Sequence, residues 1–158
     1  MIELIEIAPD LAEKIIKEPE LWGRVSEDGQ DDKTFKIEDR PEYLWLGIFN
    51  GTMLIGCFFF HQENQSTVVI HIQIIEEFRE HFAFDAGKAA IEWFSKSKFK
   101  KMVTQVPVIY QDVYHYAKKF GFLDEGINRA SYSKNGRLHN QLRLGITKDE
   151  AKLWLQQQ

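Results

Sequence analysis

The run Thr67-Val-Val-Ile-His-Ile-Gln-Ile-Ile75 and the segment Asp85-Ala-Gly-Lys-Ala-Ala-Ile-Glu-Trp-Phe94 constrain this chain more than any other stretch. The first is rich in β-branched residues and reads as a buried strand. The second carries Ala86, Ala89, Ala90, Trp93 and Phe94 at spacings of three and four, the stripe of a helix with one buried face. Between them, Glu76 to Phe84 is expected to be a turn that offers backbone N–H groups at a helix N-terminus, a place suited to phosphates. Strand, turn and helix together predict a cofactor cradle.

The rest of the chain supports that unit. Ile2 to Ile7 mostly alternates apolar and polar, as a half-buried strand does. Pro9-Asp10 starts a helix with Leu11, Ile15 and Ile16 on one face, and Pro19 breaks it before a second helical piece, Glu20 to Val25. Ser26 to Pro41 is polar and acidic and is expected to be a loop, either a lid over substrate or a plain connector. Tyr43–Phe49 and Thr52–Phe60 flank Asn50-Gly51, a hairpin signal in which both turn residues take positive φ. With Thr67–Ile75 they make an antiparallel meander. Strand Lys101–Val108, helix Tyr110–Phe120 capped by Gly121, and a hairpin about Asn135-Gly136 follow. Thr147-Lys-Asp-Glu150 has capping-box spacing and opens a last helix. The order β-α-α-β-β-β-α-β-α-β-β, with a C-terminal helix, predicts an α/β (α+β) fold. Its mixed, mostly antiparallel sheet is flanked by helices in one domain, 1–158.

Composition removes several function classes. Formal charge is −4, so no nucleic-acid-binding surface is expected. The single cysteine, Cys57, lies in an apolar strand, which excludes an internal disulfide and reads as a structural thiol. His61, His71, His81, His115 and His139 show no paired ligand spacing, so no metal is expected. No apolar run reaches the ~20 residues of a membrane helix, and the N-terminus lacks signal-peptide features. A cytoplasmic protein is expected, with no membrane contact.

Several stretches resemble one family: Val108 to Phe122, ending Tyr116-Ala-Lys-Lys-Phe-Gly-Phe122; the Asn135-Gly136 hairpin with Leu144-Gly-Ile146; and Ile74-Ile-Glu-Glu-Phe-Arg79 followed by Gly87-Lys-Ala-Ala-Ile-Glu-Trp93. With the element order, these resemble the GNAT acyltransferase superfamily over nearly the whole chain. Among its members the chain is most similar to divergent GNAT-like proteins of tailed phages. The resemblance implies transfer of an acetyl group from acetyl-CoA to an amine, small-molecule or protein. Acetyl-CoA would lie between the central strand and Lys101–Val108. Its pantetheine would pair with backbone at Ile74, Ile75 and Glu76, and its pyrophosphate would meet Arg79, Glu80, His81, Gly87 and Lys88. The family's phosphate loop is Arg/Gln-x-x-Gly-x-Gly/Ala; here Phe82 and Phe84 stand at the glycines counted from Arg79, or Phe82 and Asp85 at the other positions counted back from Gly87. The tyrosine acid that many members place four residues before the Gly of Gly-Phe is Ala117.

His71 and Gln73 share one face of the central strand, as a base with an orienting amide or as a hydrogen-bonded pair on a half-exposed face. Glu76 and Glu77 at the strand end are the other candidate bases, and Tyr110 at a strand–helix junction is the candidate acid. The expected catalytic residues are His71, Glu77 and Tyr110. Phe58, Phe59 and Phe60 are expected to pack the core, while Phe78, Phe82 and Phe84, if exposed, would make a protein-binding patch. The alternative function is a non-catalytic GNAT-fold component with phage structural proteins as partners; a homodimer is allowed by either.

Overall fold

The computed structural model describes all 158 residues. The chain runs β1 (Ile2–Glu6), α1 (Pro9–Ile16), α2 (Pro19–Val25), β2 (Tyr43–Asn50), β3 (Met53–Gln62), β4 (Thr67–Ile74), α3 (Glu76–Lys96), β5 (Lys101–Pro107), α4 (Gln111–Lys119), β6 (Leu123–Lys134), β7 (Arg137–Thr147) and α5 (Lys148–Gln156). This is the expected order. The seven strands form a sheet in the order β1-β2-β3-β4-β5-β7-β6. β4 pairs parallel with β5 over Thr67–Val69 and Lys101–Val103. β1–β2, β2–β3, β5–β7 and β6–β7 are antiparallel. No helix is long and apolar enough to cross a membrane.

Contacts divide the chain into two units, Met1–Gln62 with Ile70–Ala90, and Glu63–Val69 with Ile91–Gln158. In the first, Ala12, Ile15 and Ile16 of α1 and Leu21 of α2 pack on Trp45 of β2 and Cys57 of β3. Arg79 of α3 ties back to α2, donating from Nη1 to Glu20 Oε1 at 2.8 Å and from Nη2 to Oε2. In the second, Met102, Val103, Val106, Phe120, Leu144 and Ile146 are buried. There Trp154 stacks obliquely on Phe120 at 5.3 Å and donates its indole N–H to Lys119 O at 2.9 Å. Gly121 holds φ +84°, the left-handed cap expected of it. Thr147 and Glu150 make the reciprocal capping box.

Three boundaries differ from expectation. α3 begins at Glu76, not near Asp85, because Glu76 to Asp85 contains no glycine or proline and places two carboxylates at the positive end of the helix. The first hairpin turns at Gly51-Thr52. Asn50 pairs with Met53, and only Gly51 takes positive φ (+62°), the glycine-first pattern of a two-residue loop. The second hairpin is as expected, with Asn135 at φ +52° and Gly136 at +72°. β6 starts at Leu123, where a strand from Gly126 to Lys134 is expected, and accommodates its extra length with irregularities between Asp124 and Gly126 and between Asn128 and Tyr132.

Candidate functional site

The β2–β3 register sets Tyr43 opposite His61 and Trp45 opposite Phe59. Alternation then puts all four on one face of the sheet. The rings form a continuous wall. Trp45 stacks on Phe59 at 4.3 Å, Phe59 on His71 of β4 at 5.5 Å, and His71 on His61 at 5.5 Å. Tyr43 meets Phe59 edge-on at 5.0 Å. Beside His71 along β4, Gln73 is buried, and its Oε1 accepts the Cys57 S–H at 3.8 Å.

Two further rings face this wall. Trp22 of α2 and Phe35 of the Ser26–Pro41 loop meet edge to face at 5.2 Å. Between them and the sheet lies a cleft of about 410 Å³, bounded by Trp22, Phe35, Trp45, Phe59, His71 and Gln73. Its rim carries the exposed Lys36, Glu38 and Arg40. The volume falls in the ~300–1,000 Å³ range of small-molecule sites.

The loop is fastened over the cleft by one carboxylate. Glu13, only 8% exposed, accepts from Lys17 Nζ at 2.9 Å, Lys36 Nζ at 3.0 Å and the Ile37 backbone N–H at 3.2 Å. Lys17 Nζ also donates to Phe35 O at 2.9 Å. The hydrogen bonds from Lys17 and Lys36 are the main reason the Glu13 carboxyl is held down at about 2. Burial, helped by the neighbouring His61, pushes His71 down to about 4, so its ring is neutral at pH 7 and offers one donor and one acceptor. Burial pushes the Cys57 thiol up to about 12, which leaves it protonated and unreactive. The Trp45 indole N–H is buried without a hydrogen-bond partner.

His71 and Gln73 thus stand together, facing the cleft, as their alternation implied. The other expected site residues are elsewhere. Glu76 and Glu77 are exposed in the first turn of α3. Arg79, Glu80, His81, Gly87 and Lys88 are helical residues, so the expected N–H-bearing turn between Arg79 and Gly87 does not exist. Interior helical N–H groups are spent on carbonyls four residues back, and the unpaired ones belong to the first turn, beside Glu76 and Glu77. The Arg79 guanidinium is engaged with Glu20 and, through Nε at 2.8 Å, with Ile74 O. The Ile75 N–H donates to Ile55 O at 3.0 Å. Ile74 O and Ile75 N thus have partners within the protein. Tyr110 lies in the second unit, just before α4, with its ring edge-on to Tyr132 at 6.1 Å. Ala117 is buried in α4. Phe84 is exposed, while Phe78 and Phe82 are half-buried and 6.4 Å apart. No group of three His, Cys, Asp or Glu side chains is placed to hold a metal ion.

Sequence reasoning missed Trp45, Phe59 and His61 as site residues and missed Glu13 altogether. The alternation of Tyr43-Leu-Trp45 and Phe59-Phe-His61 carried the signal for the first three. The Glu13–Lys17 spacing of four is a local signal for an ion pair, but nothing local marks the hold on the loop, because Lys36 and Ile37 are more than twenty residues away.

The fold has close counterparts among solved structures. A spermidine N-acetyltransferase from Vibrio cholerae, solved with CoA and spermine, superposes with a TM-score of 0.80 at 15% identity, covering 96% of this chain and 98% of that one. A chimera of the Vibrio cholerae enzyme SpeG with hSSAT gives 0.80 at 18% identity over 96% and 98%. This likeness shows the GNAT fold, a mixed α/β arrangement with a seven-stranded, mostly antiparallel sheet and five helices. No curated protein matches the sequence. A family model covers residues 10–138, and by that match the chain belongs to the family described as Protein of unknown function (DUF2824).

Proposed function

We propose that this protein is an acyl-CoA-dependent N-acyltransferase that moves an acetyl group from acetyl-CoA to an amine held in the ring-walled cleft. The observation that carries the reading is the convergence of His71 and Gln73 on a cleft of substrate size, within a fold shared with proteins solved as N-acetyltransferases. The Vibrio cholerae counterpart binds CoA and spermine, which supports a CoA thioester as one substrate and an amine as the other.

In such a transfer the amine lone pair attacks the thioester carbonyl carbon, the C–N bond forms, and the C–S bond breaks. The nitrogen loses a proton and the thiolate gains one. His71 and Gln73 would orient the amine by hydrogen bonds from one side. With its pKa near 4, His71 is too weak a base to take a proton from an alkylammonium, so it positions rather than deprotonates. Glu77, solvated at the start of α3, is the remaining candidate base through water. Tyr110 is the candidate donor to the leaving thiolate.

One specific observation favours a second reading, a GNAT-fold protein that binds partners or ligands without catalysis. The Ile74 and Ile75 backbone groups and the Arg79 guanidinium have internal partners, and the free end of α3 carries two carboxylates that repel phosphate. Calorimetric titration of acetyl-CoA separates the two readings. Binding in the micromolar range is the expected result. No heat at millimolar acetyl-CoA would overturn the enzyme reading and leave the second.

A further inference from the structure

The chemistry of the cleft narrows the kind of amine it can hold. Trp22, Phe35, Trp45 and Phe59 give it four aromatic walls, and its polar interior is limited to neutral groups, chiefly His71 and Gln73. No carboxylate lies inside. The one carboxylate at the rim, Glu38, is exposed and bonded to Arg40, and Lys36 stands beside it with its Nζ on Glu13. Lys36 is paired with Glu13 and Arg40 with Glu38 and Glu42, so the rim offers no carboxylate without a cation of its own. An alkylammonium or a polyamine brought into this space would lose its water with no unpaired anion to replace it. Contact with the aromatic rings would return less than that loss. Desolvation wins, so a charged amine is excluded.

A neutral amine meets none of that cost. We propose that the cleft takes an aryl amine, one whose nitrogen is bonded directly to an aromatic ring. Such a nitrogen is uncharged at neutral pH because its lone pair is partly delocalised into the ring. The ring would pack edge-on to Trp22 and Phe35 and against the outward ring edges of Trp45 and Phe59, whose faces stack on one another. The amino group would donate to the His71 ring nitrogen and to the Gln73 carboxamide. The neutrality of His71 fits this role, because an imidazolium has no acceptor. The orphaned indole N–H of Trp45 lies in the same wall, and an unpartnered buried donor calls for a reason.

The inference rests on the acyltransferase reading for its chemistry and explains a feature that reading leaves open, the lack of a competent base in the cleft. The aryl amine nitrogen attacks the thioester carbonyl without prior deprotonation. The C–N bond forms and the C–S bond breaks. One N–H proton leaves the tetrahedral nitrogen and ends on the thiolate, giving an N-aryl acetamide and free CoA.

The test is a binding measurement on the full chain without acetyl-CoA. Binding of 4-methoxyaniline, cyclohexylamine and spermidine is followed by calorimetric titration. The aniline is expected to bind at least about tenfold more tightly than either charged amine. Its affinity should fall as pH is lowered through its own pKa. Phe35→Ala, on the loop at the margin of the first unit's core, should weaken aniline binding about tenfold while its circular dichroism shows the fold intact. Equal or tighter binding of cyclohexylamine or spermidine would overturn the inference, as would no binding of any probe or an unchanged affinity in Phe35→Ala. The acetyl-CoA titration is independent of all these. If the aniline binds and acetyl-CoA does not, the site stands and the acyltransferase reading falls; the converse result leaves that reading with a different acceptor.

Discussion

A methyl group on Gly56 would sit 2.2 Å from the Gln73 carbonyl oxygen and 2.9 Å from Ile74 Cα. Both are backbone atoms of β4, so relief requires the strands to part. That would shift Gln73, whose amide also holds Cys57. Gly56→Ala is expected to lose roughly 3 kcal/mol, the upper end of overpacking costs. Urea unfolding measures it, and a loss below about 0.5 kcal/mol would contradict the close approach. At this scale the sequence was partly legible. Alternation alone set His71 and Gln73 on one face. It could not show that Phe59 and His61 stack with His71, because that depends on how β3 pairs across the turn of residues 63–66 with β4.

Among the elements, the loop between α2 and β2 depends most on a single group. Glu13 accepts from three donors, two of them loop atoms, and its pKa is held near 2 against an ordinary 4.5. A depressed carboxylate contributes stability that is present above its unfolded pKa and lost as pH falls through the folded one. The advantage of the native chain over Glu13→Ala is therefore expected to be complete above about pH 5. It should shrink steadily toward pH 2. Thermal unfolding of both chains across that range checks it, and a pH-independent difference would show that the carboxylate does not hold the loop. The long helix α3 illustrates the opposite kind of failure. A turn over Glu76–Phe84 is expected because a polar, aromatic segment separates an apolar strand from a helical stripe. Intrinsic preference over a segment free of glycine and proline continues the helix instead. Where the family's glycines are lost, its backbone loop is lost with them.

At the scale of the molecule, element order and sheet class were readable because they rest on long periodic stretches, each with its own turn or cap signal. The cleft was not, since it is assembled from α2, a loop and three strands. Ligand binding is a whole-molecule property for the same reason: every element that shapes the site shares in its stability. If acetyl-CoA is a substrate, adding it at ~100 times its dissociation constant should raise unfolding free energy by about 2.7 kcal/mol. A calorimetric scan showing no such shift would agree with a null titration in rejecting it.

The fastening of the loop at its middle has a consequence for chain cleavage. The exposed arm from Asp28 to Lys33 precedes the held segment Phe35–Ile37, and Ser26 on the other side is bonded through its hydroxyl and its N–H to Trp22 O. A protease that cuts after Lys33 severs the covalent thread but leaves both new ends anchored. The two fragments are expected to co-elute as one particle on gel filtration and to keep the 4-methoxyaniline signal. Glu13→Ala, cut at the same bond, should lose that signal. The covalent chain and the folded cleft would then be separable properties, with a single carboxylate standing in for the missing peptide bond.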